Sequence, residues 1–150
     1  MKHFPTRIIL TIGVFLLTSS AVFGDLNFDL REASGRGDLK KVEGLLSKGA
    51  NVNGKGYMDA TPLHYASAEG HESVVRLLLQ NGAQVNAKDK KGGTALIYAV
   101  WKGYVGVVRA LIEAGADANA ATPDGRTPLS VALSGKRTDI ANILRAAGAR

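Results

Sequence analysis

Short apolar clusters, each followed by a glycine, recur along most of the chain. In the clearest cluster, at about 72–80, the apolar residues are Val74, Val75, Leu77, Leu78 and Leu79. Ahead of it, Thr61 is suited to be a helix N-cap, and Pro62 follows at the first helical position. Gly70 can take the left-handed conformation that ends this first helix, and Gly82 ends the second. The pattern therefore predicts two short antiparallel helices joined by a turn.

This two-helix unit is repeated with a period of 33 residues. Gly-Ala pairs, asparagines, leucines and alanines form four columns with this interval: 49-50, 82-83, 115-116 and 148-149; Asn53, Asn86 and Asn119; Leu30, Leu63, Leu96 and Leu129; Ala33, Ala66, Ala99 and Ala132. Gly37, Gly70 and Gly103 follow the same interval, and Lys136 breaks that series. Because an isolated helix needs about 12–15 residues to be stable, these short helices must be stabilised by stacking on their neighbours.

The residue types at particular positions of the repeat are also informative. The second unit reads Thr61-Pro62-Leu63-His64-Tyr65-Ala66, and the fourth has Asp124-Gly125-Arg126-Thr127-Pro128-Leu129. Over about residues 27–150 the chain resembles ankyrin-repeat proteins, whose unit has this period and this sequence box. The resemblance implies an all-α solenoid of stacked helix-turn-helix units with β-turn or hairpin tips.

Four repeats are expected, at about 26–55, 56–88, 89–121 and 122–150. The first lacks the Thr-Pro-Leu-His box, Ile97 and Ser130 replace its histidine, and Ala95 replaces its proline. The outer repeats have charged residues where an internal repeat would be covered by a neighbour: Arg31, Lys40 and Lys41 in the first, Arg145 in the last. We therefore expect two internal and two capping repeats, a complete array and a monomer.

The first 24 residues have the three parts of a secretory signal. Lys2, His3 and Arg7 form a positive start, an apolar run covers 8–17, and small residues precede Asp25. Cleavage is expected before Asp25, with cleavage after Ala21 as the second choice. The alternative is an uncleaved anchor, although the apolar stretch is shorter than the ~20 residues of a spanning helix. We expect a signal peptide at 1–24 and a periplasmic protein.

Composition limits the chemistry of the chain. The formal charge of +6 falls to +4 once Lys2 and Arg7 are removed with the signal. The absence of cysteine excludes a disulfide framework, a thiolate zinc site and a cysteine nucleophile. A basic balance is compatible with nucleic acid, but export argues more strongly against that partner.

Two histidines and one glycine-rich segment are candidates for a chemical site. His64 and His71 are seven residues apart, but Gly70 separates them and no third metal ligand has suitable spacing. The resemblance favours a structural role for both, as hydrogen-bonding residues that tie loops and neighbouring repeats. Ser134-Gly135-Lys136-Arg137 lacks the first glycine and the final Ser or Thr of a phosphate loop. We expect no enzyme, no metal and no cofactor.

The resemblance places the binding surface on the concave side, which is built from the turn tips and the first helix of each repeat. We expect Trp101 to be the central contact, because it points away from the core positions Leu96 and Ala99. Tyr57 and Met58 are expected as a second exposed apolar pair at a tip. The full candidate set is Arg36, Tyr57, Met58, Lys90, Lys91, Trp101, Lys102 and Arg126.

The predicted function is a non-enzymatic protein–protein interaction module, exported by a bacterium. Its expected partner is another exported protein with an acidic patch. Two alternatives stay open: an inhibitor or immunity protein against a secreted toxin or hydrolase, and a scaffold that associates weakly with anionic membrane surfaces.

Overall fold

The computed structural model describes residues 26–150, so the expected signal at 1–24 lies outside the described residues. This part of the chain is helical and contains no strand. The helices are α1 at 26–36, α2 Leu39–Ser47, α3 Pro62–Glu69, α4 Glu72–Gln80, α5 Ala95–Lys102, α6 Val105–Glu113, α7 Pro128–Ser134 and α8 Thr138–Ala146. A 3-10 turn, Tyr57–Asp59, precedes α3. The all-α class is confirmed, and α4 has the predicted bounds.

The helices form two layers. In the first layer α3 packs on α5 and α5 on α7, while in the second layer α2, α4, α6 and α8 pack in that order. Each first-layer helix also packs on the second-layer helix that follows it in the chain, as α3 does on α4. We call α1, α3, α5 and α7 the first helices and the others the second helices. No described helix combines the length and the apolar character needed to cross a bilayer.

Two repeating columns form the core between the layers. The leucine column and the alanine column predicted from the period are all buried: Leu30, Leu63, Leu96, Leu129, Ala33, Ala66, Ala99 and Ala132. The alanines bring the paired helices close, because their side chains are a single methyl group. The second helices add the valines and leucines of their inner faces, such as Val75, Val108 and Leu111. Burial of this apolar surface is the main stabilising contribution.

Polar caps begin the first helices. In α7 the hydroxyl of Thr127 accepts a hydrogen bond from the Ser130 amide (3.1 Å), and the Ser130 hydroxyl accepts one from the Thr127 amide (2.9 Å). In α3 the ring of His64 replaces the serine hydroxyl, because its Nδ1 accepts from the Thr61 amide (3.2 Å) and lies 2.8 Å from the Thr61 hydroxyl. Both reciprocal pairs satisfy amides that a helix leaves without partners at its start.

Glycines end α1, α3 and α5 for two reasons. Gly37, Gly70 and Gly103 all have positive φ, between 73° and 86°, which favours glycine. In addition, a side chain of the next repeat occupies the space that a Cβ would need: His71 at Gly37, Tyr104 at Gly70 and Arg137 at Gly103. The fourth repeat has Lys136 at this position, with φ 54°. No described residue stacks beyond it, so only the backbone requirement remains.

A ladder of asparagines joins successive repeats along the ends of the second helices. Asn53 Nδ2 donates to the carbonyl oxygen of Gly82 (3.1 Å), and its Oδ1 accepts from the Gln84 amide (2.8 Å). Asn86 and Asn119 repeat this bridge one and two units later. The period-33 asparagines therefore hold each repeat to the next.

Candidate protein-binding surface

The tips between repeats are four-residue turns that stack on one another. In the turns that start at Gly56, Asp89 and Thr122, the amide of that first residue donates to the carbonyl of the residue just after the turn, at 2.9–3.0 Å. The Lys90 amide also donates to the carbonyl of Met58 in the neighbouring tip (2.9 Å). Pro123 occupies the corresponding position of the next tip and has no amide to donate. The tips of repeats 2 and 3 are therefore linked directly, and those of repeats 3 and 4 are not linked in this way.

Trp101 projects from α5 on the face formed by the first helices and the tips. Its side chain is 59% exposed, as the helical spacing predicts. It forms one wall of a groove of about 260 Å³, whose other lining residues are Lys91, Gly93, Ile97, Tyr98, Thr122, Arg126 and Val131. We call this the tryptophan groove. Its floor is apolar and its rim is cationic.

A second, more polar groove of about 320 Å³ lies on the other side of the indole. Trp101, Arg126 and Val131 line both grooves, and here they are joined by Ser130, Ser134, Gly135 and Arg137. Arg137 Nη2 donates to the carbonyl oxygen of Trp101 (2.9 Å), so the guanidinium is held against the end of α5. Lys102 Nζ lies 5.0 Å from the centroid of the indole. Four cationic side chains therefore surround Trp101: Lys91, Lys102, Arg126 and Arg137.

Acidic residues at this end are already bonded. Asp89 accepts from the amides of Lys91 and Gly93 and from the Tyr98 hydroxyl. Burial and this hydrogen bond to Asp89 raise the pKa of Tyr98 to about 12. Asp124 accepts from Thr122 and, at 2.7 Å, from Arg126 Nε. The Thr122 hydrogen bond and the Arg126 charge lower the pKa of Asp124, so it stays ionised.

A separate groove of about 390 Å³ lies at the other end of the same face, between repeats 1 and 2. Its lining residues are Phe28, Arg31, Glu32, Gly35, Tyr57, Tyr65 and Glu69. We call it the aromatic groove. Phe28 is 60% exposed and Tyr57 is 85% exposed, while Tyr65 is half-buried. The sequence analysis did not identify Phe28 or Tyr65 as groove residues. Phe28 could have been found from its position, because it lies where repeats 2 and 4 have the threonine that begins the box.

The eight predicted surface residues do not form one cluster. Lys91, Trp101 and Arg126 meet at the tryptophan groove, with Lys102 beside the indole, whereas Tyr57 lines the aromatic groove. The remaining three stand apart from the grooves: Arg36 pairs with Glu32 at 2.6 Å, while Met58 and Lys90 meet through their backbones. Met58 is half-buried, where the sequence predicted an exposed side chain, because its tip packs against the neighbouring one.

Both candidate histidines make the structural hydrogen bonds that were expected. His64 is 4% exposed, and its Nε2 lies 3.1 Å from the carbonyl oxygen of Gly93 in the next repeat. Burial lowers the pKa of His64, so the neutral ring donates from Nε2 and accepts at Nδ1. His71 Nε2 lies 2.9 Å from the carbonyl oxygen of Gly35. Among residues 26–150, no three His, Cys, Asp or Glu side chains are arranged to hold a metal ion.

Comparison with known proteins gives one family. The family model described as ankyrin repeats (three copies) matches residues 30–122 and again 86–150. A search of curated proteins finds no match to this sequence. The two overlapping matches together cover most of the chain, including every tip described above and nearly all of the first helices.

Proposed function

We propose that this chain, which belongs to the ankyrin-repeat family, is an exported bacterial protein that binds another protein through its first-helix face. Ankyrin repeats are protein–protein interaction modules, and the family is generally non-enzymatic. We also propose the compartment in which this chain works, the surface that binds the partner and the chemistry of that partner.

The exposure of Trp101 supports this surface more than any other observation. Tryptophan is a large, mostly apolar side chain, yet this one stands 59% exposed between two grooves. Tryptophan beside arginine is the composition typical of interface hot spots, where a few residues contribute most of the binding free energy. We therefore place the centre of the interface at Trp101.

The charges around Trp101 favour an acidic partner surface. Lys91, Lys102, Arg126 and Arg137 surround the indole, and Asp124 offsets only one of these four charges by pairing with Arg126. Complementary charge raises the association rate and selects partners. The stacked repeats hold this surface in a fixed shape, so little conformational entropy is lost on binding.

The proposed compartment is the periplasm, and it rests on the sequence of residues 1–24. Export predicts a mature chain that starts at Asp25, or alternatively at Val22 after cleavage behind Ala21. Mass spectrometry of the intact protein from a periplasmic extract distinguishes these products from the uncut chain. Recovery of the full-length chain in the cytoplasm would contradict export without bearing on the binding surface.

Affinity capture from periplasmic extract tests the surface. The full chain, its Trp101→Ala variant and an Arg109→Ala variant serve as baits. Arg109 is an exposed residue of the same repeat, but it lies on α6 in the layer of second helices. We expect the same protein to be retained by the wild type and Arg109→Ala and lost with Trp101→Ala. Equal recovery with all three baits would refute the assignment to this face.

Sedimentation with anionic vesicles separates this proposal from the membrane alternative. If the cations around Trp101 bound a lipid surface, the chain would sediment with vesicles at low salt and be released at high salt, because exposed charges are screened. Vesicle binding together with no captured protein would replace the proposed function with the membrane scaffold.

A further inference from the structure

The first-helix face has opposite chemistry at its two ends. Equivalent positions of repeats 2 and 3 show the change: Tyr57 corresponds to Lys90, and Glu69 corresponds to Lys102. Each pair occupies the same place in the fold, one on a tip and one at the end of a first helix. The end of the first helix has the same backbone in both repeats, since Gly70 and Gly103 both have positive φ, whereas the tips differ at Met58, whose φ is 57°. At Glu69 and Lys102 the difference therefore lies in the side chains offered to a partner.

The aromatic groove offers rings and carboxylates together. The rings of Phe28 and Tyr57 are exposed over a groove of about 390 Å³ that Tyr65 lines from α3. Glu32 and Glu69 line the same groove from α1 and α3. Aromatic faces attract cations within about 6 Å, and a carboxylate at the end of the groove adds a hydrogen-bonding partner for the charged group.

The balance of charge in this groove leaves one carboxylate available. Glu32 is neutralised by Arg36, whose Nη2 is 2.6 Å away. Arg31 also lines the groove and keeps its positive charge, but its Nη1 donates to the carbonyl oxygen of Gly54 (3.4 Å) and its Nε lies close to Gly56, so the guanidinium is held at the backbone of the tip. Glu69 forms no ion pair with any residue between 26 and 150.

We infer that the aromatic groove binds an arginine or lysine side chain of the same partner whose acidic residues engage the tryptophan groove. The aliphatic stem of such a side chain packs on the rings of Phe28 and Tyr57, and its charged head reaches Glu69. This inference rests on the proposed function, since it assumes that the face binds a protein.

Glu69 at one end, which is unpaired among residues 26–150, and the cations around Trp101 at the other have a consequence for orientation. A partner segment with a basic residue at one end and acidic residues at the other matches the face in one direction only. If the segment bound in the opposite direction, its basic residue would lie among Lys91, Lys102 and Arg126, where like charges repel. Such repulsion is an established source of specificity in protein interfaces.

Selection from a random peptide library displayed on phage tests the inference with a defined probe. The full-length chain, a Glu69→Lys variant that copies Lys102 of repeat 3, and Trp101→Ala are used as separate targets. On the wild type we expect enrichment of peptides that contain both Arg or Lys and Asp or Glu. On Glu69→Lys the basic residues should disappear from the selected set, while on Trp101→Ala fewer peptides should be recovered, because the indole is lost and the cations that attract acidic residues remain.

A synthetic peptide from the wild-type selection then measures the effect. Glu69→Gln, which removes the charge but keeps the shape, should weaken its binding about tenfold, and Arg109→Ala should leave it unchanged. Circular dichroism of each variant confirms that the stack remains folded. Binding that is insensitive to Glu69→Gln in a folded variant would overturn the inference.

The remaining outcomes separate the inference from the proposed function. Selected peptides that are acidic only and depend on Trp101 would overturn the cationic groove and leave the proposed function intact. Peptides that are basic and lose binding with Tyr57→Ala, but not with Trp101→Ala, would support the inference and move the centre of the interface. A wild-type chain that enriches no peptide would contradict both.

Discussion

The aromatic groove and the tryptophan groove are two versions of one site, built on the same repeat positions. They share four positions that are two periods apart: Arg31, Glu32, Gly35 and Tyr65 in the aromatic groove correspond to Ile97, Tyr98, Trp101 and Val131 in the tryptophan groove. Their rims differ, with exposed rings and Glu69 at one end, and Lys91 and Arg126 at the other. The period constrains buried positions and hydrogen-bonding positions, whereas the outward positions vary freely. A repeat protein therefore changes its binding chemistry without changing its fold.

The largest expected effect compares the glycines that end α3 and α5. An alanine Cβ at Gly70 would lie 2.8 Å from the Tyr104 ring, and one at Gly103 would overlap the Arg137 guanidinium. The left-handed backbone costs about 1–2 kcal/mol for alanine at either site, and overpacking adds a further ~1–3 kcal/mol. We expect Gly70→Ala to cost about 3 kcal/mol in the free energy of unfolding. Gly103→Ala should cost less, because a guanidinium moves more easily than a packed ring.

Urea denaturation followed by circular dichroism measures the loss of unfolding free energy in Gly70→Ala and in Gly103→Ala. Gly115→Ala is the matched control, because Gly115 also has a positive φ of 86°, but a Cβ added there would meet no described atom within 4 Å. It should lose only the backbone contribution of about 1–2 kcal/mol. Equal losses at all three glycines would show that the neighbouring repeat does not occupy this space.

Much of this framework could be predicted from the sequence. The period placed the leucine and alanine columns, and Gly70 and Gly82 located the ends of α3 and α4. The glycine column showed where helices stop but not what fills the space beside them. His71, Tyr104 and Arg137 are spaced by the period, but they differ in residue type, so the sequence alone does not show that each fills the space beside the preceding glycine.

The next effect compares the exposed anchors of the two grooves. Trp101 lies between two grooves, while Tyr57 stands 85% exposed on a tip. Hot-spot residues are those that become fully desolvated in the complex. We expect Trp101→Ala to weaken binding of the captured partner by about 2 kcal/mol or more, and Tyr57→Ala by about 1 kcal/mol. Isothermal titration calorimetry gives both values, and the reverse order would move the centre of the interface to the aromatic groove.

The candidate site was less predictable than the fold. Helical spacing was enough to predict that Trp101 points outward. The aromatic groove was missed because Phe28 lies in the repeat that departs most from the pattern. Met58 was placed outward on the tip, but contacts between tips are set by the stacking of repeats, which spacing along one chain does not describe.

A smaller loss of stability should be the same at both ends of the stack of repeats. Asn53 bridges repeats 1 and 2, and Asn119 bridges repeats 3 and 4 with equivalent hydrogen bonds. Replacing either by alanine removes exposed hydrogen bonds worth about 1 kcal/mol in total. Urea denaturation should show equal losses, with binding unchanged in both variants. A loss of binding in either one would indicate that the interface extends beyond the first-helix face.

The smallest expected effect is a pH dependence of the free energy of unfolding, which arises where repeat 2 contacts repeat 3. His64 of α3 bonds to Gly93, which lines the tryptophan groove, and its ring lies edge-on to Tyr98 with the Asp89 charge nearby. Burial lowers the pKa of His64 in the folded chain below its ordinary value of 6.5. The unfolded chain therefore takes up a proton at a higher pH than the folded chain does, and the free energy of unfolding falls as the pH drops through 6.5.

Urea midpoints measured between about pH 7.5 and 5.5 test this sign. His64→Ile copies Ile97, the buried residue at the same position of repeat 3. The variant retains His71, so any pH dependence from that ring is common to both proteins and cancels in the comparison. We expect the wild type to lose more stability on acidification than His64→Ile does. Parallel pH profiles would mean that burial does not lower the pKa of His64 in the folded chain below its value in the unfolded chain.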